Sequence, residues 1–257
     1  MSGKTRYRGR SIGVLIVLAA LVPAVTADIS DVIYQVVVCN DAGVCQGMMP
    51  IDISAGAWQP DGTFQWVLLQ DTNIVGFDGQ DLGTLSTEDY GTSITITPPG
   101  AGRSFPQVNV NFSVIGGTTP GQFTINSALV SFPTIYSALG QVNVGINLTD
   151  RSPAGATLTN VPLDTGKSTS WVNGLPATGT LFRTLFAQDL SVTGGSANGS
   201  DQTAGFEPIF QDVSSISGRI QFVLSARDLA SGSSTFVVSP EPASFLMLLT
   251  LALLRRR

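Results

Sequence analysis

The residues best spaced for chemistry lie at positions 161–172, VPLDTGKSTSWV. Gly166-Lys167-Ser168 has the ending of a phosphate loop, but that loop needs a glycine where this chain has Val161, so the P-loop reading fails. Asp164-Thr165-Gly166, followed by Ser168 and Trp171-Val172, resembles the active-site loop of pepsin-like aspartic proteases. That chemistry needs two carboxylates sharing one proton. The chain has no second Asp-Thr-Gly or Asp-Ser-Gly, so a partner copy would have to supply it. A turn between strands accounts for Asp and Gly equally well. The chain also contains no histidine, which removes Ser-His-Asp and Cys-His catalysis and the commonest zinc ligand.

Carboxylates are the remaining reactive groups. The segment 70–91 holds Asp71, Asp78, Asp81, Glu88 and Asp89 among glycines. Calcium takes six to eight oxygens, and Asp71, Asp78 and Asp81 are the candidate ligands for a calcium cofactor. An EF-hand is excluded, because Val75 falls on a ligand position and Leu82 replaces the closing glutamate. A solvated acidic loop is the alternative. Carboxylate pairs for glycosidase work are inevitable with so many acids, and none stands out. Trp58, Trp66 and Trp171 have the chemistry to stack on sugar rings, although such residues more often belong to a core. Thr95-Ile96-Thr97 resembles one step of an ice-binding threonine ladder, without a repeat to extend it. Asn111, Asn147 and Asn198 stand in glycosylation sequons.

Charge narrows the partners. Residues 28–238 carry six cations against 17 acids, a net charge near −11. With no basic cluster to meet phosphates, nucleic acid is not an expected partner. Cys39 and Cys45 are the only cysteines and flank the turn formers Asn40, Asp41 and Gly43. In an exported chain such a pair reads as a disulfide stapling the end of a hairpin. Two thiols without histidine make a poor metal site.

The elements that must position these groups read as strands. QVNVNFSV (107–114) alternates apolar and polar residues, as do QVNVGINL (141–148), SITIT (93–97) and RIQFVLS (219–225). Period two puts one face in a core and the other in water. TFQWVLL (63–69) and DVIYQVVV (31–38) look more deeply buried, and TLFRTLFAQDL (180–190) fits helix or strand. Gly- and Pro-rich stretches at 98–102, 116–121 and 193–200 separate the runs, and 193–205 has the composition of a mobile linker. The twin QVNV at 107 and 141 is too short to establish a repeat. The expected fold is all-β, an antiparallel β-sandwich or jelly roll over residues 28–238.

Both ends look like addresses. Lys4, Arg6, Arg8 and Arg10 precede an apolar run at 12–22, Pro23 and small residues, the order of a signal peptide over 1–27 cleaved after Ala27. At the other end, Ser239-Pro240-Glu241-Pro242 leads into ASFLMLLTLALL (243–254) and Arg255-Arg256-Arg257. As a helix those 12 residues would reach about 18 Å against a hydrocarbon core of roughly 30 Å, too short for a comfortable span. The arginines should stay cytoplasmic.

This three-part tail (239–257) resembles a PEP-CTERM protein-sorting signal, also catalogued as an ice-binding-protein C-terminal motif. Ser239 stands where that family often has Val. The resemblance implies a short transmembrane helix, transient anchoring in the membrane and recognition by an exosortase, a membrane-embedded transpeptidase-like enzyme acting near Pro240, Glu241 and Pro242. It further implies delivery to the cell envelope, surface or matrix, in association with exopolysaccharide. The expected function is that of an exported, non-enzymatic matrix or surface protein, with a carbohydrate-binding or carbohydrate-active protein as the alternative and an Asp164 protease as a remote one.

Overall fold

The computed structural model describes residues 28–40, 42–99, 105–162 and 164–241. The expected signal segment 1–27 with Ala27, and the expected sorting residues Pro242, 243–254, Arg255, Arg256 and Arg257, lie outside the described residues. Among the described residues no helix is long and apolar enough to cross a membrane.

Among the described residues, strands follow one another with one 3-10 turn at Ile53–Ala55. They begin with β1 (Asp28–Ile29), β2 (Val32–Cys39), β3 (Cys45–Asp52), β4 (Ala57–Trp58), β5 (Phe64–Val67) and β6 (Thr72–Val75). Next come β7 (Asp81–Leu85), β8 (Ser93–Thr97), β9 (Gln107–Gly116), β10 (Gly121–Ser127), β11 (Val130–Ile135), β12 (Ala138–Thr149) and β13 (Ala156–Thr159). The last are β14 (Ser168–Val172), β15 (Thr180–Leu185), β16 (Leu190–Val192), β17 (Ser196–Gln202), β18 (Glu207–Pro208), β19 (Val213–Leu224) and β20 (Leu229–Pro240).

They form two antiparallel sheets of ten strands each, the sandwich that the alternating patterns predict. Sheet one runs β1-β11-β19-β10-β2-β3, with β13 and β14 also pairing β19. Sheet two runs β17-β12-β20-β9-β8-β5-β4, with β6 and β7 attached beside β9. Each sheet turns one row of apolar side chains inward. Phe112 of β9 meets Phe222 of β19 at 5.5 Å between ring centres, and Phe222 stacks on Phe123 of β10 at 5.9 Å. Tyr34 of β2 packs on Trp66 of β5 at 5.3 Å and donates its hydroxyl to the Asn111 carbonyl, tying the sheets a second time. Burial without a charged partner pushes the Tyr34 phenol well above its ordinary range.

Cys39 and Cys45 are directly paired across β2 and β3 and joined by the expected disulfide. Asn40 Oδ1 accepts the N–H groups of Ala42 and Val44, so the side chain shapes the turn that the bond closes.

Two local expectations change, and one left open between helix and strand resolves to strand. In 63–69 only Phe64 and Trp66 are buried, whereas Leu69 is 90% exposed; the strand is half-buried and ends at Val67. Residues 180–190 form β15 and the approach to β16, not a helix. The stretch 193–205 is no linker. Gly194 and Gly195 adopt positive φ (74° and 85°) in the turn that carries the chain from β16 in sheet one to β17 in sheet two, and β17 then pairs with β12 from Asn143↔Gln202 to Thr149↔Ser196. A strand of Ser, Ala, Asn and Gly escapes a reading based on β-branched residues, because its pairing comes from the neighbouring strand.

Candidate functional site

The segment suggestive of catalysis is built as structure. Asp164 N–H donates to the Val161 carbonyl in a turn before β14, and Thr165 is exposed. Lys167 is fully buried, with Nζ donating to Asn160 Oδ1 (3.1 Å), the Gln188 carbonyl (2.8 Å) and Asp189 Oδ1 (3.0 Å). Burial holds its ammonium below the usual lysine range, with the Asp189 carboxylate opposing that shift. Every donor direction of Lys167 is occupied, so it serves as a strut between the 160–164 turn and the 186–189 loop.

The acidic segment is likewise used locally. Asp71 Oδ1 accepts from Thr87 N–H and Oγ1 at 2.8 Å and from Ser86 Oγ, and these bonds hold its carboxyl below the ordinary range. Asp78 caps Gln80 N–H and Asp81 caps Gly83 N–H, each two residues on. Among the described residues no group of three or more acids, cysteines or histidines stands where it could hold a metal, so Asp71, Asp78 and Asp81 are not brought together as a calcium cage.

The solvent face of sheet two has a different character. The twin QVNV stretches lie on β9 and β12, which flank β20 in the same register. Gln107 and Gln141 both oppose Val237, Val108 and Val142 both oppose Phe236, and Asn109 and Asn143 both oppose Thr235. The valines point into the core and the amides point out. A continuous polar row then crosses six strands: Gln65, Thr95, Asn109, Thr235, Asn143 and Gln202. The next row reads Ser93, Asn111, Ser233, Gly145 and Ser200. Strand geometry spaces such groups about 4.8 Å across the sheet and about 6.8 Å along it. Thr95 thus belongs to a mixed amide and hydroxyl array, not to a threonine ladder.

Gly145 leaves a notch in the second row, since nothing stands within 4 Å of where its side chain would begin. Two shallow depressions of about 570 and 510 Å³ meet there, sharing Gly145 and Ser200. The second is flanked by the exposed ring of Tyr90. Asp89 Oδ2 accepts from Ser231 Oγ and Asn147 Nδ2, fixing the 88–91 turn to the face. Asn109 Oδ1, in the middle of the array, is screened from solvent with no hydrogen-bond partner. The sequons Asn111, Asn147 and Asn198 fall on this face, where Asn111 Nδ2 donates to Ser93 Oγ. Asn109, Asn143 and Thr235 were not singled out as binding residues by sequence reasoning; the QVNV echo was the available signal.

The start of the segment expected to be a sorting motif is woven into the same sheet. Ser239 pairs with Leu139 and Pro240 with Ala138, and Glu241 N–H donates to the Ser137 carbonyl. Strand β20 therefore carries the sheet past residue 238, where sequence patterning ends the body.

The fold and this face define a two-sheet antiparallel sandwich with a hydroxyl- and amide-lined surface. No family model matches the chain, and no curated protein does. Among solved structures, a carbohydrate-binding module, TmCBM61 in complex with β-1,4-galactotriose, is similar over 55% of this chain and 74% of its own, at 12% identity and a TM-score of 0.25. The D431N mutant VP2 protein of infectious bursal disease virus is similar over 86% of this chain and 78% of its own, at 12% identity and a TM-score of 0.15. At those scores neither likeness carries an argument about ligand or ancestry.

Proposed function

We propose that this protein is an exported, non-enzymatic component of the cell surface or extracellular matrix that holds polysaccharide on the solvent face of sheet two. The observation that carries the reading is the pair of polar rows meeting at Gly145. Neutral sugars present hydroxyls that both donate and accept, and side-chain amides answer both functions. The Gly145 notch admits a ring edge close to the backbone, and Tyr90 offers a flat apolar surface for a sugar face. The surrounding carboxylates are engaged in turns and caps, which favours holding over hydrolysis. The route rests on the tail: the resemblance of 239–257 to a PEP-CTERM signal supports export, transient membrane anchoring and handling by an exosortase.

Affinity gel electrophoresis against a panel of neutral polysaccharides tests the binding. Retardation by at least one polymer is expected, with about tenfold weaker binding for Asn143→Ala and for Tyr90→Ala, the loss of one or two hydrogen bonds or of a stacking surface. Both positions are surface ones, so thermal midpoints should change little. An unretarded protein, or variants as strongly retarded as the parent, would overturn the reading.

A further inference from the structure

The outer face of sheet one holds a cation that the chain does not use. Arg219 lies on β19 between Asn126 of β10 and Thr169 of β14. It is half-buried, and its Nε–H is screened from solvent with no hydrogen-bond partner. The guanidinium carbon sits 5.9 Å from the Trp171 ring centre, so the ring backs it on one side. Trp171 is itself fixed by a bond from Nε1 to Thr169 Oγ1. Asp164 is near enough to favour the charge but forms no ion pair with it.

Among the described residues three other cations have carboxylate partners. Arg151 pairs with Glu88, Lys167 with Asp189 and Arg183 with Glu207. The single acidic side chain outside the described residues is Asp41, in the Cys39–Cys45 loop. In a body with 17 acids, a half-buried guanidinium without a carboxylate partner stands out.

Arg219 opens onto a groove of about 580 Å³, within the usual range for small-molecule sites. Gln35, Thr124 and Asn126 line its sheet side, whereas Val32, Leu175 and Pro176 supply apolar walls. Asn126 Nδ2 donates to Gln35 Oε1 at 3.1 Å, which orients both amides. The wall is preformed. Thr178 and Gly179 N–H groups close on the Leu175 carbonyl, Ser217 Oγ donates to the Gly174 carbonyl, and Asn173 bridges to Asp212 and Ser214.

We infer that this groove is a binding site for a small monocarboxylate with an apolar body, its carboxylate on Arg219 and its apolar part against Val32, Leu175 and Pro176. A guanidinium fork matches a carboxylate in geometry and charge. A single negative charge suits the site better than an acidic polymer, which the negative field of the whole body would repel.

Titration of the full chain with hexanoate, 1-hexanol and glucuronate, followed by amide chemical shifts, tests the assignment. Hexanoate should bind at least about tenfold more tightly than hexanol, the worth of a charge-assisted pair. Arg219→Gln should erase that preference while leaving weak hexanol binding, and Arg219→Lys should keep part of it. The preference should shrink with added salt. Because Arg219→Gln alone could disturb the sheet, the Arg219→Lys spectrum serves as the fold control. Equal binding of acid and alcohol, no binding of either, or an unchanged preference in Arg219→Gln would overturn the site. Glucuronate binding as tightly as hexanoate would overturn the apolar half of the assignment.

Discussion

Lys167 shows how one residue is defined by what surrounds it. In sequence it has the place of a phosphate-loop lysine in Gly166-Lys167-Ser168; in the fold its ammonium is saturated by Asn160, Gln188 and Asp189. Its burial has a sign that can be measured. The folded-state pKa lies below the unfolded one, so the unfolded chain holds the proton to higher pH. The stability contributed by this group is therefore complete above the unfolded lysine value and is lost as pH falls through the folded one. Urea midpoints of the parent and of Lys167→Met, compared at pH 8 and at pH 10.5, should show the parent gaining on the variant at the higher pH. A gap that stays constant would mean that burial does not perturb the lysine. Taking the difference removes Tyr34 and the other groups that ionise in both proteins.

At the scale of elements, β20 is held on both sides so closely that one position tolerates no side chain. A Cβ on Gly232 would stand 2.2 Å from the Gly145 carbonyl oxygen and 2.9 Å from the Phe112 ring. Gly232→Ala should therefore cost about 1–3 kcal/mol by forcing β12 and β9 apart, read as a lowered denaturant midpoint with an unchanged slope. That closeness explains what the sequence disclosed and what it hid. The alternation in 107–114, 141–148 and 93–97 announced strands and their inward faces, since period two is a property of one strand alone. Register is a property of two strands. The twin QVNV looked like an echo of four letters until β20 placed Asn109 and Asn143 on either side of Thr235. Strand β17 stayed hidden for the same reason, its small polar residues becoming a strand only beside β12. Arg219 could not be recognised from sequence, because having no partner is visible only in three dimensions.

At the scale of the molecule, the last two strands described are the ones that hold the sheets together. In sheet one β19 pairs with β10, β11, β13 and β14, and in sheet two β20 stands between β12 and β9. Nearly all of these contacts join residues far apart in the chain, the kind of topology that folds slowly. Residues 28–228, lacking β20, should show no cooperative unfolding transition and no dispersed amide spectrum, whereas residues 28–241 should show both. A well-folded 28–228 fragment would mean that β9 and β12 can close on each other directly.

This placement of β19 and β20 also sets a clock. Neither sheet can be completed until residues 213–240 are free of the ribosome and of any channel the chain is passing through. Under the export route proposed above the consequence is useful, because a channel that threads extended chains refuses a folded one. On that route β19 and β20, following all the other strands, would keep the preceding residues threadable and then close both layers of the sandwich together on the far side.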